Sequence, residues 1–180
     1  MTNKSSIFSL SVLAAPLALA GPRWGQRTCP DFEPVADLDL SRYAGTWYEN
    51  VRDRATPFEL MASCVVADYT LSEDGSQLGV VNSGYRQGKG WNIAQGTGVP
   101  VGDGIKVSFE GMPDLGNKPN YFVLDTDYDN YAIVYSCDDY LGGLFTFDLL
   151  WILTRDTSIN DAQLGQITST IERKVPSYDF

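Results

Sequence analysis

The sequence predicts an all-β protein: an eight-stranded antiparallel up-and-down barrel with one C-terminal α-helix. Two observations predict it. Between Gly45 and Arg155, short runs rich in β-branched and aromatic residues alternate with turns marked by Gly, Asp-Gly and Pro. After Arg155 the apolar residues recur at helical spacing. A length of 180 residues, 43% of them hydrophobic, suits one domain with one core.

The predicted strands follow one another at nearly regular spacing. "SEDGSQ" and "GDG" are typical hairpin turns between them. No helical pattern intervenes, so the sheet is predicted to close on itself, which leaves no exposed edge. Eight strands enclose a space just wide enough for side chains or one small ligand. The strands are predicted at 45–53, 63–72, 77–87, 90–99, 104–110, 119–126, 130–138 and 145–155.

One amphipathic helix is predicted over 160–175, where Leu164, Ile167 and Ile171 share one face. Either Asn160 or Asp161 can cap its first turn. The Pro-rich segment 21–40 is predicted to cross the barrel as a loop.

The first twenty residues are typical of a signal peptide. "SIFSLSVLAAPLALA" is a short apolar run, and Ala18-Leu19-Ala20 offers the small residues that precede a cleavage site. We therefore expect residues 1–20 to be removed, residues 21–180 to form a single domain, and the protein to be secreted. The alternative is an N-terminal membrane anchor, but Pro16 interrupts the run and its length suits a span poorly.

Composition and charge exclude several classes of function. The chain contains no His, which excludes Ser-His-Asp and Cys-His catalysis and His-ligated metal or haem sites. A net charge of −10 opposes binding to nucleic acid. The acidic clusters lack EF-hand spacing, so no metal site is predicted. No catalytic residue and no required cofactor is predicted either.

Three cysteines follow the leader, at positions 29, 64 and 137. In an oxidising compartment two of them are expected to pair, which leaves one thiol over. From the residues alone, all three pairings remain open.

Three short motifs, in order, resemble the signatures of the lipocalin family. They are "GTW" at 45–47, "TDY" at 126–128 and the arginine in "WILTRD". Longer segments, among them "CPDFEPVADLDLSRYAGTWYE" and "PNYFVLDTDYDNYAIVYSC", are similar to the apolipoprotein D-like and the bilin- and carotenoid-binding group. The resemblance covers about residues 29–173 and implies a lipocalin barrel.

The resemblance implies that one end of the barrel is shut by five structural residues. Arg155 is expected to lie across the face of Trp47 as a cation–π partner and to donate to nearby carbonyls. Gly45 gives room for the chain to cross. Asp127 and Tyr128 are expected at the same end, where Asp127 can fix a turn through backbone N–H groups.

The resemblance also implies a ligand in the barrel. Trp151 and Leu153 share the parity of Arg155 and are expected to point inward. Asn82 and Tyr85 are both candidates although they lie on opposite faces of one strand, and Tyr131 or Tyr135 is a further candidate. The implied function is an extracellular carrier of a bilin, carotenoid, retinoid, sterol or fatty acid. The predicted ligand-binding residues are Trp151, Tyr69, Asn82, Tyr85, Tyr121, Val65 and Leu153.

The family pattern pairs Cys29 with Cys137 and leaves Cys64 without the C-terminal partner that related chains have. Cys64 is therefore expected to stay free, to pair with another chain in a homodimer or with another protein partner, or to bind something covalently. The barrel mouth is the other candidate surface for a partner. An alternative function is a lipocalin-fold enzyme acting on a lipid-like substrate. Alternation with Tyr69 predicts that Cys64 points outward, which argues against it as a nucleophile, so no enzyme is expected.

Overall fold

The structure is a computed structural model that describes most of the chain. The predicted leader, residues 1–20, and Gly21 lie outside the described residues, so the division of the chain into leader and domain stays a prediction. Within the described part, no helix has both the length and the apolar character needed to cross a bilayer. The described residues are 23–24, 29–53, 56, 61–113, 116–141, 144–176 and 178.

Each of the eight predicted strands is present close to its predicted bounds. A two-residue strand, β1, and a one-turn helix, α1, precede them and were not predicted. The long helix, α2, lies where the periodicity predicts it. The elements are β1 (Arg23–Trp24), α1 (Leu40–Tyr43), β2 (Gly45–Arg52), β3 (Ala62–Leu71), β4 (Leu78–Arg86), β5 (Gly90–Val101), β6 (Gly104–Phe109), β7 (Phe122–Thr126), β8 (Tyr131–Tyr140), β9 (Phe145–Thr154) and α2 (Asp161–Lys174).

The strands form one antiparallel sheet in the order β6-β5-β4-β3-β2-β9-β8-β7, with β1 added to β9. Pairing of β2 with β9 brings the first long strand beside the last. The two edges, β6 and β7, meet at a bridge between Ile105 and Tyr121. There the Asn120 side chain exchanges two hydrogen bonds with the backbone of Val107, of 2.8 and 2.9 Å. The predicted antiparallel barrel with a C-terminal helix is confirmed, with β6 and β7 joined by a narrow seam.

Two apolar cores lie on opposite faces of the sheet. The inner core fills the barrel around Trp47, Tyr43 and Leu78. The outer core lies between the sheet and α2, around Ile133, Ile152 and other buried side chains. Because side chains alternate along a strand, β8 and β9 contribute to both cores.

Helix α2 begins with a capping box. The Asn160 side chain accepts from the Gln163 backbone N–H at 2.9 Å, and the Gln163 side chain reaches back to the N-cap. Ile167 and Ile171 are buried against the sheet, and burial of such side chains stabilises the fold by about 1.5–3 kcal/mol each. The Lys174 ammonium donates to the Glu33 carbonyl at 3.1 Å, which ties the helix to the N-terminal segment.

Candidate functional site

One end of the barrel is shut by a stacked pair of side chains. The guanidinium carbon of Arg155 lies 3.6 Å from the centre of the Trp47 ring, which is fully buried. The Trp47 indole N–H donates to the Tyr43 carbonyl at 2.8 Å. The large flat ring therefore has a cation on one face and a partner for its one polar group, as a buried tryptophan requires. We call this the closed end.

The guanidinium of Arg155 also ties residues 42–46 to the turn at Tyr128. Its Nε donates to the Tyr128 carbonyl at 3.0 Å, and its Nη1 donates to the Thr46 carbonyl at 2.8 Å. Its Nη2 donates to the carbonyls of Arg42 and Ala44, each at 2.9 Å. Partial burial lowers the pKa of Arg155, yet arginine remains charged at neutral pH.

Gly45 makes room for this arginine. Its φ is +98°, a conformation that residues with a Cβ rarely adopt, and an added Cβ would lie 3.3 Å from Nη1 of Arg155. The glycine is thus required both by the turn from α1 into β2 and by the close approach of the guanidinium.

The turn between β7 and β8 completes the closed end. The Asp127 carboxylate accepts from the backbone N–H of Asn130 at 2.8 Å and of Tyr131 at 3.1 Å. Desolvation raises the pKa of Asp127, but these bonds and the Asn130 side chain outweigh it, so the pKa lies below its ordinary value. Tyr128 gives its carbonyl to Arg155, and its ring lies 4.3 Å from the guanidinium carbon of Arg42.

Four of the predicted ligand-binding residues lie on the inner face of the barrel wall, on β3 and β9, the two strands that flank β2. Tyr69 and Leu153 belong to the inner core, and Trp151 packs against it, half-buried. Val65 is buried, and its side chain would meet a Cβ added at Gly84, which faces inward from β4. The inner faces of β3 and β9 are therefore apolar and aromatic at these positions.

Three tyrosine hydroxyls form a chain inside the barrel. The Tyr121 hydroxyl lies 2.6 Å from that of Tyr43 and 3.1 Å from that of Tyr69. Burial raises the pKa of Tyr43 and Tyr121 well above the usual value, so these phenols are neutral at physiological pH. The interior of the barrel next to the closed end is thus polar but uncharged.

Polar groups also line the barrel farther from the closed end. Asn82 lies opposite Ala67 on the inner face, and its Oδ1 is buried with no hydrogen-bond donor among the described residues. Glu49 and Arg52 form an ion pair of 2.5 Å, and the Arg52 Nη2 donates to the Ala62 carbonyl at 2.6 Å. Glu49 pairs with Leu153 and Arg52 pairs with Trp151, so both charges face the interior.

Sequence reasoning missed Tyr43, Glu49 and Arg52. Tyr43 precedes the first predicted strand, and nothing in the pattern places it inside the barrel. Simple alternation from Trp47 would turn Arg52 outward, but a β-bulge between Glu49 and Val51 shifts the register and turns it inward. A charged residue at the end of an apolar strand was the only available signal.

A comparison with protein families settles the architecture. Residues 38–180 match the family model described as "Lipocalin-like domain". The chain belongs to the lipocalin family.

Individual relatives agree with this assignment. Apolipoprotein D of Cavia porcellus is 36% identical over 154 residues, which is 82% of this chain and 77% of that protein. The outer membrane lipoprotein Blc of Escherichia coli K12 is 39% identical over 145 residues, 78% of this chain and 75% of that protein. The structure of insecticyanin from the tobacco hornworm Manduca sexta superposes with a TM-score of 0.65 at 23% identity, covering 84% of this chain and 81% of that one.

Tyr85 does not line the lipocalin cavity, and its prediction as a ligand contact is wrong. It is 40% exposed and lies on the outer face of β4, where its ring contacts Trp91 on β5. Asn82, an odd number of positions away on the same strand, faces inward instead. Tyr131 and Tyr135 are also misassigned, because both pack in the outer core beneath α2.

The cysteines follow the lipocalin pattern. Cys29 is bonded to Cys137, so this predicted disulfide is confirmed. Cys64 is exposed and unpaired within the chain, which is one of the outcomes that the sequence left open. It lies in a β-bulge of β3, between Ser63 and Val66, with a φ of +53°. In the described part of the chain, no group of three or more Cys, Asp or Glu side chains is arranged to hold a metal ion.

Proposed function

We propose that this lipocalin is a secreted carrier that binds a small hydrophobic ligand inside its barrel. The observation that carries the proposal is the apolar inner wall, to which Trp151, Tyr69 and Val65 contribute together with the buried Oδ1 of Asn82. Apolar walls with few polar groups are typical of sites for small ligands. Burial of apolar ligand surface supplies about 25 cal/mol per Å² before the costs of association.

The ligand class is an elongated or flat apolar molecule with a polar end. Bilins, carotenoids, retinoids, sterols and fatty acids all meet this description. The name apolipoprotein D implies a lipid-like ligand for that relative, and the similarity supports one of the same class here.

Extracellular location rests on two features. The leader predicted at 1–20 directs secretion, and a Cys29–Cys137 disulfide is typical of proteins that mature in oxidising compartments. Gly21, not cysteine, follows the predicted cleavage site, which opposes a lipid anchor of the kind that the name of Blc implies for that protein.

Binding is proposed to occur without turnover. The chain lacks His, and Cys64 lies exposed in a bulge of β3, outside the inner core. The residues paired beside it, Ser63 and Tyr85, are uncharged.

The experiment is a fluorescence titration of the purified protein with retinol and, separately, with a conjugated fatty acid. We expect saturable quenching of tryptophan emission, and Trp151→Phe should lose most of the change and weaken binding. Trp91→Phe, which alters an exposed tryptophan on the outer face, is the matched control and should keep the signal. Cys64→Ser should bind as the parent does.

Two results would contradict the proposal. Quenching that Trp91→Phe removes and Trp151→Phe preserves would place the ligand outside the barrel. Conversion of a lipid hydroperoxide by the parent, abolished in Cys64→Ser, would replace the carrier with an enzyme.

A further inference from the structure

An uncharged apolar surface covers the outer face of β4 and β5. It consists of Val81, Tyr85, Trp91 and Ile93, which we call the outer patch. Their exposed fractions are 36%, 40%, 61% and 62%. Soluble monomers rarely leave so many large apolar side chains together in water, and such patches usually mark an interface.

Strand register makes the outer patch continuous. Tyr85 pairs with Trp91, and their rings meet edge to face at 5.7 Å between centroids. The next pair on this face is Ser83 with Ile93. Val81 is the next residue of β4 beyond Ser83 that faces outward. Together they form a two-strand surface with small polar groups between large apolar ones, a composition that suits a packed interface.

The free thiol lies at the border of this patch. Ser63, which precedes Cys64, pairs with Tyr85, and Val66 pairs with Ser83. The bulge at Cys64 opens the register of β3 beside these two pairs, and the thiol is exposed there. The apolar surface and the one free cysteine of the described chain are therefore neighbours, the thiol lying in the part of β3 that pairs with Tyr85 and Ser83 of β4.

The net charge of the chain indicates which partner binds the outer patch. The chain carries a net charge of −10, so two copies repel each other over most of their surface. The outer patch itself, and Ser63, Cys64 and Val66 beside it, contain no charged side chain; the carboxylate that borders the patch is that of Asp68, which pairs with Val81 at one end. This face is therefore where two copies can approach with little repulsion, and a two-fold contact brings identical patches, and identical cysteines, together.

We propose that two copies of this lipocalin associate through their outer patches, with Cys64 facing the partner's Cys64 across the two-fold axis. In an oxidising compartment the pair is then locked by a disulfide. The Cys64 thiolate of one copy attacks oxidised glutathione and releases one glutathione thiol. The second copy's Cys64 thiolate attacks the mixed disulfide at the Cys64 sulfur and releases the other. Two protein thiols are oxidised, and one glutathione disulfide is reduced.

This dimer goes beyond the carrier function and leaves it intact, because the patch lies on the opposite side of the sheet from Trp151 and Tyr69. The test incubates the purified protein in a glutathione redox buffer and follows dimer yield by light scattering and non-reducing gels. Peptide mapping then identifies the bridge. We expect a dimer joined through Cys64, and a weaker dimer, reversible on dilution, for Cys64→Ser.

Matched charge substitutions test whether dimer formation depends on the outer patch or only on the exposed thiol. Ile93→Glu places like charges at the contact and should lower the dimer yield at least about tenfold relative to the parent, since like charges that face each other across an interface oppose association. Leu144→Glu, at a side chain that is 67% exposed beyond the end of β8, should not change it. A parent that only forms a glutathione adduct, or a dimer indifferent to Ile93→Glu, overturns the proposal. Retinol titration of each variant reports the carrier function independently.

Discussion

The Arg155→Met substitution tests the architecture of the closed end. Methionine keeps an apolar side chain against the Trp47 ring and removes the charged guanidinium. The cation–π contact is worth about 0.5–2 kcal/mol. Hydrogen bonds from a charged donor contribute about 1.5–3 kcal/mol each, but those on Arg155 act as a unit and water can replace some of them. We therefore expect the free energy of unfolding to fall by about 3–5 kcal/mol.

Equilibrium unfolding in urea measures this change. With a slope of about 2 kcal/mol per M, the midpoint should fall by roughly 1.5–2.5 M at an unchanged slope. Arg155→Lys should recover part of the loss, because one ammonium can lie over the ring but cannot reach all four carbonyls that the guanidinium contacts. Arg173→Met, which removes an exposed arginine with one bond to Thr170, is the control and should change stability by less than about 0.5 kcal/mol. If Arg155→Met unfolds like this control, the closed end does not depend on the arginine.

Three further predictions concern other parts of the fold. Peptide mapping without reduction should recover Cys29 joined to Cys137, and replacing both by Ser should cost about 4–5 kcal/mol, since the bridge closes a loop of 108 residues; an unchanged urea midpoint would contradict this. Gly165→Ala should stabilise α2 by about 0.5–1 kcal/mol, because an added Cβ meets nothing within 4 Å; a loss of helicity by circular dichroism would refute it. The pKa of Asp127 is lower folded than unfolded, so its contribution is present above about pH 4 and is lost as pH falls through the folded pKa. Asp127→Asn should therefore be less stable than the parent at pH 7 and nearly equal to it at pH 2, and a gap that persists in acid would refute this.

The fold could be predicted because its local signals agree with one another. Turn residues bound every long strand, and the period changes to that of a helix only after Arg155. The contact between Trp47 and Arg155 joins the first long strand to the end of the last, so it lies beyond any local pattern, and the family motifs alone implied it. Periodicity thus predicted the fold, and the resemblance to the lipocalin family predicted the closed end.

The interior was less predictable because register decides it. Alternation assigns a face only until a β-bulge intervenes, as the reversed side of Arg52 illustrates. The sequence allows Tyr135 to point either into or out of the barrel, because it does not show that α2 covers the outer face of β8. The hydroxyl chain joins Tyr43, Tyr69 and Tyr121 from three separate segments, and only the closed barrel brings these together.

Strand β9 is buried on both of its faces. Leu153 points into the barrel, while Leu150 and Ile152 point toward α2. Its backbone is paired with β2 on one side and with β8 on the other. Amide protons escape to solvent only when such a strand opens, and that requires loss of both cores at once. In native-state hydrogen exchange, the amides of β9 should therefore report the global free energy of unfolding, while those at the seam between β6 and β7 exchange through smaller local openings.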